Sequence, residues 1–244
     1  MHICFFDIDG TLLLTGGAGQ AAFAKTLAED FSISEIDATV PFAGRSDRAI
    51  AMDLFRKHGI EPSEKNWLRF RDGYLRWLEQ MLHTHRGTVL PGVVELLAIL
   101  ATRGDVAIGL LTGNLKEGAR RKLGHYGLWQ WFRFGGYGDE FTERRDIATA
   151  ALAAAKSHLN GGAATSGFNS QSRDCLLDKA DTAWSGEILV IGDTPHDVEC
   201  GRSIEARCIA VSTGQTPASL LQKAEPDVLI DTLRDVEPIL SLLK

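Results

Sequence analysis

MHICFFDIDGTLLL, residues 1–14, decides how the rest of this chain is read. An apolar run, Ile3 to Phe6, delivers two carboxylates, Asp7 and Asp9, into a Gly-Thr turn. Side chains two apart on an extended strand point to the same side. Asp7 and Asp9 can therefore converge where a buried strand reaches the edge of a sheet. Two acids there are costly to leave unpaired, which points to a metal or a proton-transfer pair. The plainer alternative has one Asp closing the turn and the other solvated, since Asp is common in turns. The stretch alone leaves both readings open.

Working outward, Gly16-Gly17-Ala18-Gly19 leads into a helix expected from Gln20 to Ala28. The string imitates a dinucleotide-binding fingerprint, but nine residues, Asp7 to Thr15, separate it from the strand it should follow directly. No acidic strand end lies about 20 residues further on either, so a flexible entry to a helix is the better reading. Ser46–His58 and Ser63–His85 carry apolar residues at three- and four-residue steps, with Ser46 and Ser63 as N-caps. Trp67, Phe70 and Trp77 belong to the core of this block. Residues 15–87 thus form a small all-helical module inserted between the first strand and the remainder, 88–244.

Beyond Leu90-Pro91-Gly92 the rhythm changes to strands alternating with helices. A helix at Val93–Thr102 precedes a strand at Val106–Leu111, and a helix at Leu115–Gly124 follows. A short aromatic segment at Trp129–Phe134 leads to a helix at Arg145–Lys156. Then come a strand at Ile188–Ile191, a helix at Pro195–Ser203, strands at Cys208–Val211 and Val228–Ile230, and a last helix. This alternation gives an α/β class with a parallel sheet covered on both faces. Residues 157–186 interrupt it with a Gly-, Ala-, Ser- and Asn-rich stretch lacking periodicity, read as a flexible surface insertion that could act as a lid or docking segment.

The composition sets limits. The 244 residues suit one large domain or a core carrying a smaller one, and 44% hydrophobic residues suffice for a sizeable core. A net charge of -6 argues against nucleic acid or an anionic membrane as partner. Cys4, Cys175, Cys200 and Cys208 have no zinc or C-x-x-C spacing, which suits a reducing compartment. With no leader-like N-terminus and no apolar run near the roughly 20 residues of a membrane span, a cytoplasmic protein is expected.

Three strands end in polar residues just before a turn or helix: Asp7 and Asp9, Thr112, and Asp193. Ligands of open parallel sheets bind at the carboxyl ends of the strands, so three separately weak signals fall at one place. In this order they carry a resemblance. The chain is similar to the haloacid dehalogenase-like hydrolase superfamily, in particular its phosphoglycolate phosphatase-like branch. Asp7-Ile8-Asp9-Gly10-Thr11-Leu12 fits the first motif, Leu111-Thr112-Gly113-Asn114 the second, and Gly192-Asp193-Thr194-Pro195-His196-Asp197 the fourth.

The resemblance implies a Rossmann-like core, residues 1–14 and 88–244, with a mobile helical cap over an Mg²⁺-dependent phosphoryl-transfer site. Asp7 would be the nucleophile, and Asp9 the general acid and then base, a task that requires a proton at the working pH. Mg²⁺ would be held by Asp7, the Asp9 carbonyl and Asp193, with Asp197 as a further or water-mediated partner. Gly10 and Thr11 would lie at the phosphate. Thr112 would open a helix and, with Gly113 and Asn114, bind phosphate at the helix end.

The third motif departs from the family, which expects a Lys. Here the region reads Asp139-Glu140-Phe141-Thr142-Glu143-Arg144-Arg145-Asp146, and Arg144 is the expected cation, with Arg145 and then Lys122 behind it. Arg45 in the cap could hold a second anionic group of a phosphoglycolate-like or sugar-phosphate substrate, or be solvated. A phosphomutase of the same branch competes with the phosphatase reading. A dehalogenase has no use for Asp9 or Mg²⁺, and a catalytically silent binding module fits poorly with every expected acid present. Substrate and oligomeric state are not encoded in any pattern read here.

Overall fold

A computed structural model of the chain describes residues 1–161 and 186–244. β1 (His2–Phe6) and β2 (Leu13–Leu14) precede helices α1 (Ala18–Phe31), α2 (Asp47–Lys57) and α3 (Glu64–Thr84). β3 (Thr88–Val89), α4 (Val93–Thr102), β4 (Val106–Leu111) and α5 (Lys116–His125) follow, then β5 (Phe134–Gly136) and α6 (Arg144–Leu159). β6 (Ile188–Gly192), α7 (Pro195–Arg202), β7 (Arg207–Val211), α8 (Ala218–Lys223), β8 (Val228–Ile230) and α9 (Glu237–Ser241) complete the described chain.

Six strands form one sheet in the order β5-β4-β1-β6-β7-β8, and every pairing is parallel. The two-stranded ribbon apart, the strand numbering is the Rossmann order, with the chain reversing direction on either side of β1. β1 sits centrally because it is apolar on both faces. Cys4 and Phe6 enter one core with Leu96, Leu97 and Ile191. Ile3 and Phe5 enter the opposite one with Ile147, Ala151 and Val190. Each such buried side chain is worth about 1.5–3 kcal/mol of transfer free energy, so a one-residue slip of β1 would be prohibitive.

The helical block has its own core, in which Phe23 of α1 packs against Phe70 and Tyr74 of α3 at centroid distances of 4.9 and 4.7 Å. Trp67 and Phe70 are buried there as the helical periodicity requires, while Trp77 is partly covered. Ser46 and Ser63 cap α2 and α3, accepting from the N–H groups of Ala49 and Asn66 at 3.2 and 3.4 Å. The two passages between block and sheet pair with each other, Leu13 with Val89 and Leu14 with Thr88, as an antiparallel ribbon.

Several boundaries differ from the sequence reading. α1 starts earlier and ends later than Gln20–Ala28. β5 was hidden inside an aromatic segment, and α8, with only Leu221 buried, shows too little periodicity to be read. Residues 157–159 belong to α6 rather than to an insertion, and 162–185, with Cys175, lie outside the described residues. Cys4, Cys200 and Cys208 are buried thiols. Among the described residues no helix is long and apolar enough to cross a membrane.

Candidate active site

Because all six strands are parallel, β1, β4 and β6 end at one edge, and their last residues hand over to Asp7, Thr112 and Asp193. The Asp7 N–H still donates to Ile191 at 3.0 Å, so this carboxylate is fixed by one further rung of the ladder. The chain then turns sharply, with the N–H groups of Thr11, Leu12 and Leu13 all directed at the Ile8 carbonyl. Gly10 makes the turn possible at φ +88°, and a Cβ there would stand 2.4 Å from an Asp193 oxygen. Thr11 donates its hydroxyl to Asp193 at 3.2 Å. Gly10 and Thr11 therefore seat Asp193.

Asp7, Asp193 and Asp197 each offer an oxygen within 4.8 Å of the others, and all three are buried. Burial first, then the neighbouring Asp197 charge, pushes the Asp7 carboxyl up to about 7, against the pull of Arg144. Asp193 is pushed up to about 8 by burial, Asp197 and Asp7. Such crowding of hard oxygen donors fits a divalent cation of the Mg²⁺ kind, which would be held by Asp7 and Asp193.

Asp197 has partners for both oxygens. Oδ2 accepts from the Thr194 N–H at 3.0 Å and from its hydroxyl at 2.7 Å, and Oδ1 is bound by Arg144. The first pair is a capping interaction at the start of α7, legible in the Thr-x-x-Asp spacing. The second fixes Arg144, whose Nη1 lies 3.8 Å from Asp7. Arg144 is thus the cation of the 139–146 stretch that meets Asp7. Its Nε is buried without a hydrogen-bond partner. Arg145, the next residue along α6, is exposed.

Lys122 belongs to the site for a different reason. Its Nζ donates to Asp9 at 2.7 Å and to Asn114 at 2.6 Å, and Asn114 in turn donates to the same Asp9 oxygen at 2.8 Å. Burial works against the Lys122 charge, but Asp9 and Asp47 outweigh it and hold its pKa above the usual lysine value. Asp47 carried no signal in the sequence beyond an ordinary first-turn acid. Its carboxylate accepts from the Leu115 N–H at 2.8 Å and its own N–H donates to Gly113 at 2.8 Å. Burial raises Asp47 to about 7, against the pull of Lys122. Truncating Lys122 to Met loosens Asp9, and a misplacement of about 1 Å costs roughly 100-fold in kcat. Steady-state kinetics with acetyl phosphate check this, and an unchanged kcat would deny Lys122 the positioning role.

Two expectations need correction. Thr112 does not open a helix: α5 begins at Lys116, and its first N–H groups are taken by Asp47 and by Asp139, the latter at 2.7 Å. The Thr112 hydroxyl instead accepts from the N–H and side-chain amide of Asn114 at 3.3 and 2.9 Å. Gly113 admits the backbone of the helical block, since a Cβ there would meet the Arg45 carbonyl at 2.2 Å. Arg45 is not simply a solvated helix-start residue: it lines the cavity, its side chain is part-buried and Nη2 pairs with Asp53 at 2.6 Å.

Above these residues lies a cavity of about 360 Å³, walled on one side by the strand ends and on the other by α1, α2, α3 and the loop before α2. Ser46 and Arg48 tie the block down by donating to the carbonyls of Thr142 and Asp139 at 3.0 and 3.2 Å.

Solved structures share this architecture. CbbY from Rhodobacter sphaeroides, in complex with phosphate, superposes with a TM-score of 0.67 at 16% identity over 97% of this chain and 96% of that one. A hydrolase from Pseudomonas syringae gives 0.65 at 21% identity over 98% and 97%. In sequence, "Probable phosphatase IndB" of Dickeya dadantii is 29% identical over 96% of this chain and 91% of its own. The phosphoglycolate phosphatase of Synechococcus elongatus is 26% identical over 97% and 95%. A HAD-hydrolase-like profile matches residues 145–236, and the haloacid dehalogenase-like hydrolase profile matches 4–159, from β1 to the end of α6. That span holds Asp7, Asp9, Thr112 and Arg144 and covers well over half the sequence, so the chain belongs to the haloacid dehalogenase-like hydrolase family.

Proposed function

We propose that the protein is a phosphomonoesterase that transfers the phosphoryl group of a small phosphorylated metabolite to Asp7 and then to water. The observation that carries this reading is the placement of Asp7. It is a buried carboxylate at the end of the central strand, 3.8 Å from a guanidinium and opening into a cavity. Relatives named as phosphatases at 29% and 26% identity support it.

In the first step an Asp7 oxygen forms a bond to phosphorus as the bond to the leaving oxygen breaks, and Asp9 gives that oxygen a proton. In the second, Asp9 takes a proton from water, whose oxygen attacks phosphorus, and the aspartyl-phosphate opens to release phosphate. Lys122 and Asn114 both hold Asp9 by Oδ2, which fixes the rotation of the carboxyl and directs Oδ1 to the proton transfers. Arg144, kept in place by Asp197 and 3.8 Å from Asp7, sets its guanidinium charge beside the phosphoryl oxygens. Asp7, Asp193 and the Asp9 carbonyl would hold Mg²⁺, which would supply charge neutralisation for the phosphate. The helical block serves as the cap, hinged on the β2–β3 ribbon, and excludes water during the first step.

Release of inorganic phosphate from acetyl phosphate and p-nitrophenyl phosphate, with and without EDTA, tests the reading. Turnover that ceases on chelation and returns with Mg²⁺ is the expected result; undiminished turnover in EDTA would refute the metal role. Asp9→Asn should cut turnover about 100-fold or more while leaving Mg²⁺ affinity nearly unchanged, because only the backbone of Asp9 is asked to bind the ion. Loss of Mg²⁺ binding in that variant contradicts the division of roles.

Metal binding should also be visible in stability. Asp7 and Asp193 have folded pKa values raised to about 7 and about 8, above their ordinary 3.8. Protonated, they favour the fold in full below about pH 4. That contribution is lost as pH rises through about 7 to 8 in the metal-free protein, because the buried carboxyls must then ionise side by side. Mg²⁺ binds the ionised forms, so its benefit grows over the same window. At a concentration about 100 times its Kd, Mg²⁺ should raise Tm by roughly 5–10 °C at pH 8 and by much less at pH 5. Equal shifts at both pH values, read by scanning fluorimetry, speak against these carboxylates as the ligands.

A further inference from the structure

The cavity has two chemically different ends. At the strand edge it is lined by carboxylates and by Arg144 and Lys122, and this end receives the phosphoryl group. The opposite part of the lining, where the leaving group would lie, carries Leu14, Phe23, Phe42, Ile50 and Tyr74, with Thr15 and Gln20 as its uncharged polar side chains. Three of these are aromatic and pack edge-on, Phe23 to Phe42 at 5.3 Å and Phe23 to Tyr74 at 4.7 Å between centroids.

A second anionic group on the substrate would need a cation on that wall. Among the described residues the cavity is lined by three, Arg45, Lys122 and Arg144. Arg45 is paired with Asp53 at 2.6 Å, Lys122 with Asp9 at 2.7 Å, and Arg144 with Asp197 and Asp7. Asp47 also lines the cavity and brings no positive charge for such a group. A sugar would have to divide its several hydroxyls between Thr15 and Gln20 there, and those left over would lose water against apolar side chains. A flat ring, by contrast, gains aromatic contacts there at little entropic cost.

We propose that the cavity selects phosphomonoesters whose leaving group is an uncharged aromatic ring carried on a short linker, over those bearing a carboxylate or a second phosphate. The choice of leaving group deepens the phosphatase reading, on which its catalytic side rests, while its binding side stands on the cavity alone.

The experiment has a binding arm and a turnover arm on the whole protein with Mg²⁺. In calorimetry, 2-phenylethylphosphonate should bind at least about tenfold more tightly than 3-phosphonopropionate, the difference that burying one phenyl ring supplies. Phe42→Ala should erase most of that preference, with a Tm measurement showing that the variant is folded. In turnover, kcat/KM for benzyl phosphate should exceed that for phosphoglycolate and for glucose 6-phosphate. Equal or tighter binding of 3-phosphonopropionate overturns the proposal, and so does a higher kcat/KM for either competitor. Acetyl phosphate separates the two failures. If it is hydrolysed but the preference is reversed, only the leaving-group proposal falls. If it is not hydrolysed while the phenyl preference holds, the cavity proposal stands and the phosphatase reading falls.

Discussion

On the proposed mechanism Asp7→Asn should lower phosphate release from acetyl phosphate by at least about four orders of magnitude, because the amide cannot form the aspartyl-phosphate. The amide has the shape of the carboxylate but is a poor nucleophile. It also removes one charge from a cluster in which Asp7, Asp193 and Asp197 face a single guanidinium. The sign of the stability change is therefore opposite to that of the activity change. Above about pH 7 the metal-free wild type must ionise a buried carboxyl whose pKa has been pushed up to about 7, and the variant does not. At pH 8 without Mg²⁺ the variant should melt no lower than the wild type. A variant that is inactive and also unfolds early would mean that Asp7 holds the fold together, and residual turnover within tenfold of the wild type would remove it as nucleophile. Mass spectrometry of acid-quenched wild-type enzyme should find the phosphoryl group on Asp7.

A residue's place at this site is legible in the sequence where it follows from position on a strand, and is not where it depends on what folds over the strand ends. Asp7, Thr112 and Asp193 were legible because apolar runs of four to six residues mark β1, β4 and β6, and parallel pairing brings their ends together. β5 was not legible. Phe134-Gly135-Gly136 has no strand propensity of its own, and its conformation comes from pairing with Gly109 to Leu111 of β4. Thr112 was placed on a helix because a periodic pattern begins just after it. The chain in fact stays irregular to Leu115, since Asp47 and Asp139, from elsewhere in the sequence, cap α5. Asp47 and the apolar wall of the cavity had no local signature at all. They become part of a site only through the packing of the helical block on the strand ends, a contact of high sequence separation that no periodicity encodes. Lys122 illustrates the intermediate case: the sequence offered it as a substitute for Arg144, whereas the two cations serve different carboxylates, Asp9 and Asp7.

Arg144→Met tests that division and should be the most damaging change for stability at this site. The guanidinium is 11% exposed and sits against Asp7 and Asp197, the latter buried at 2%. Removing one partner of a buried pair leaves the others uncompensated, at a cost of about 3–5 kcal/mol. Part of the loss is relieved by protonation of the orphaned carboxyls, so the variant should recover stability as pH is lowered from 8 towards 5, in the opposite sense to a surface defect. Mg²⁺ offsets the same missing charge and should restore more Tm to the variant than to the wild type. Arg144→Lys keeps a cation but loses the fork that joins Asp197 to Asp7, and is expected to fold well with kcat reduced roughly 10- to 100-fold. Lys122→Met, with the other cation removed, leaves this cluster intact; acid should relieve it through Asp9 and Asp47, but Mg²⁺ should restore no more Tm to it than to the wild type. If Arg144→Met were as stable as the wild type across this pH range, the negative charge around Asp7 would have to be balanced by something other than Arg144, and the assignment of the third-motif role to it would fail.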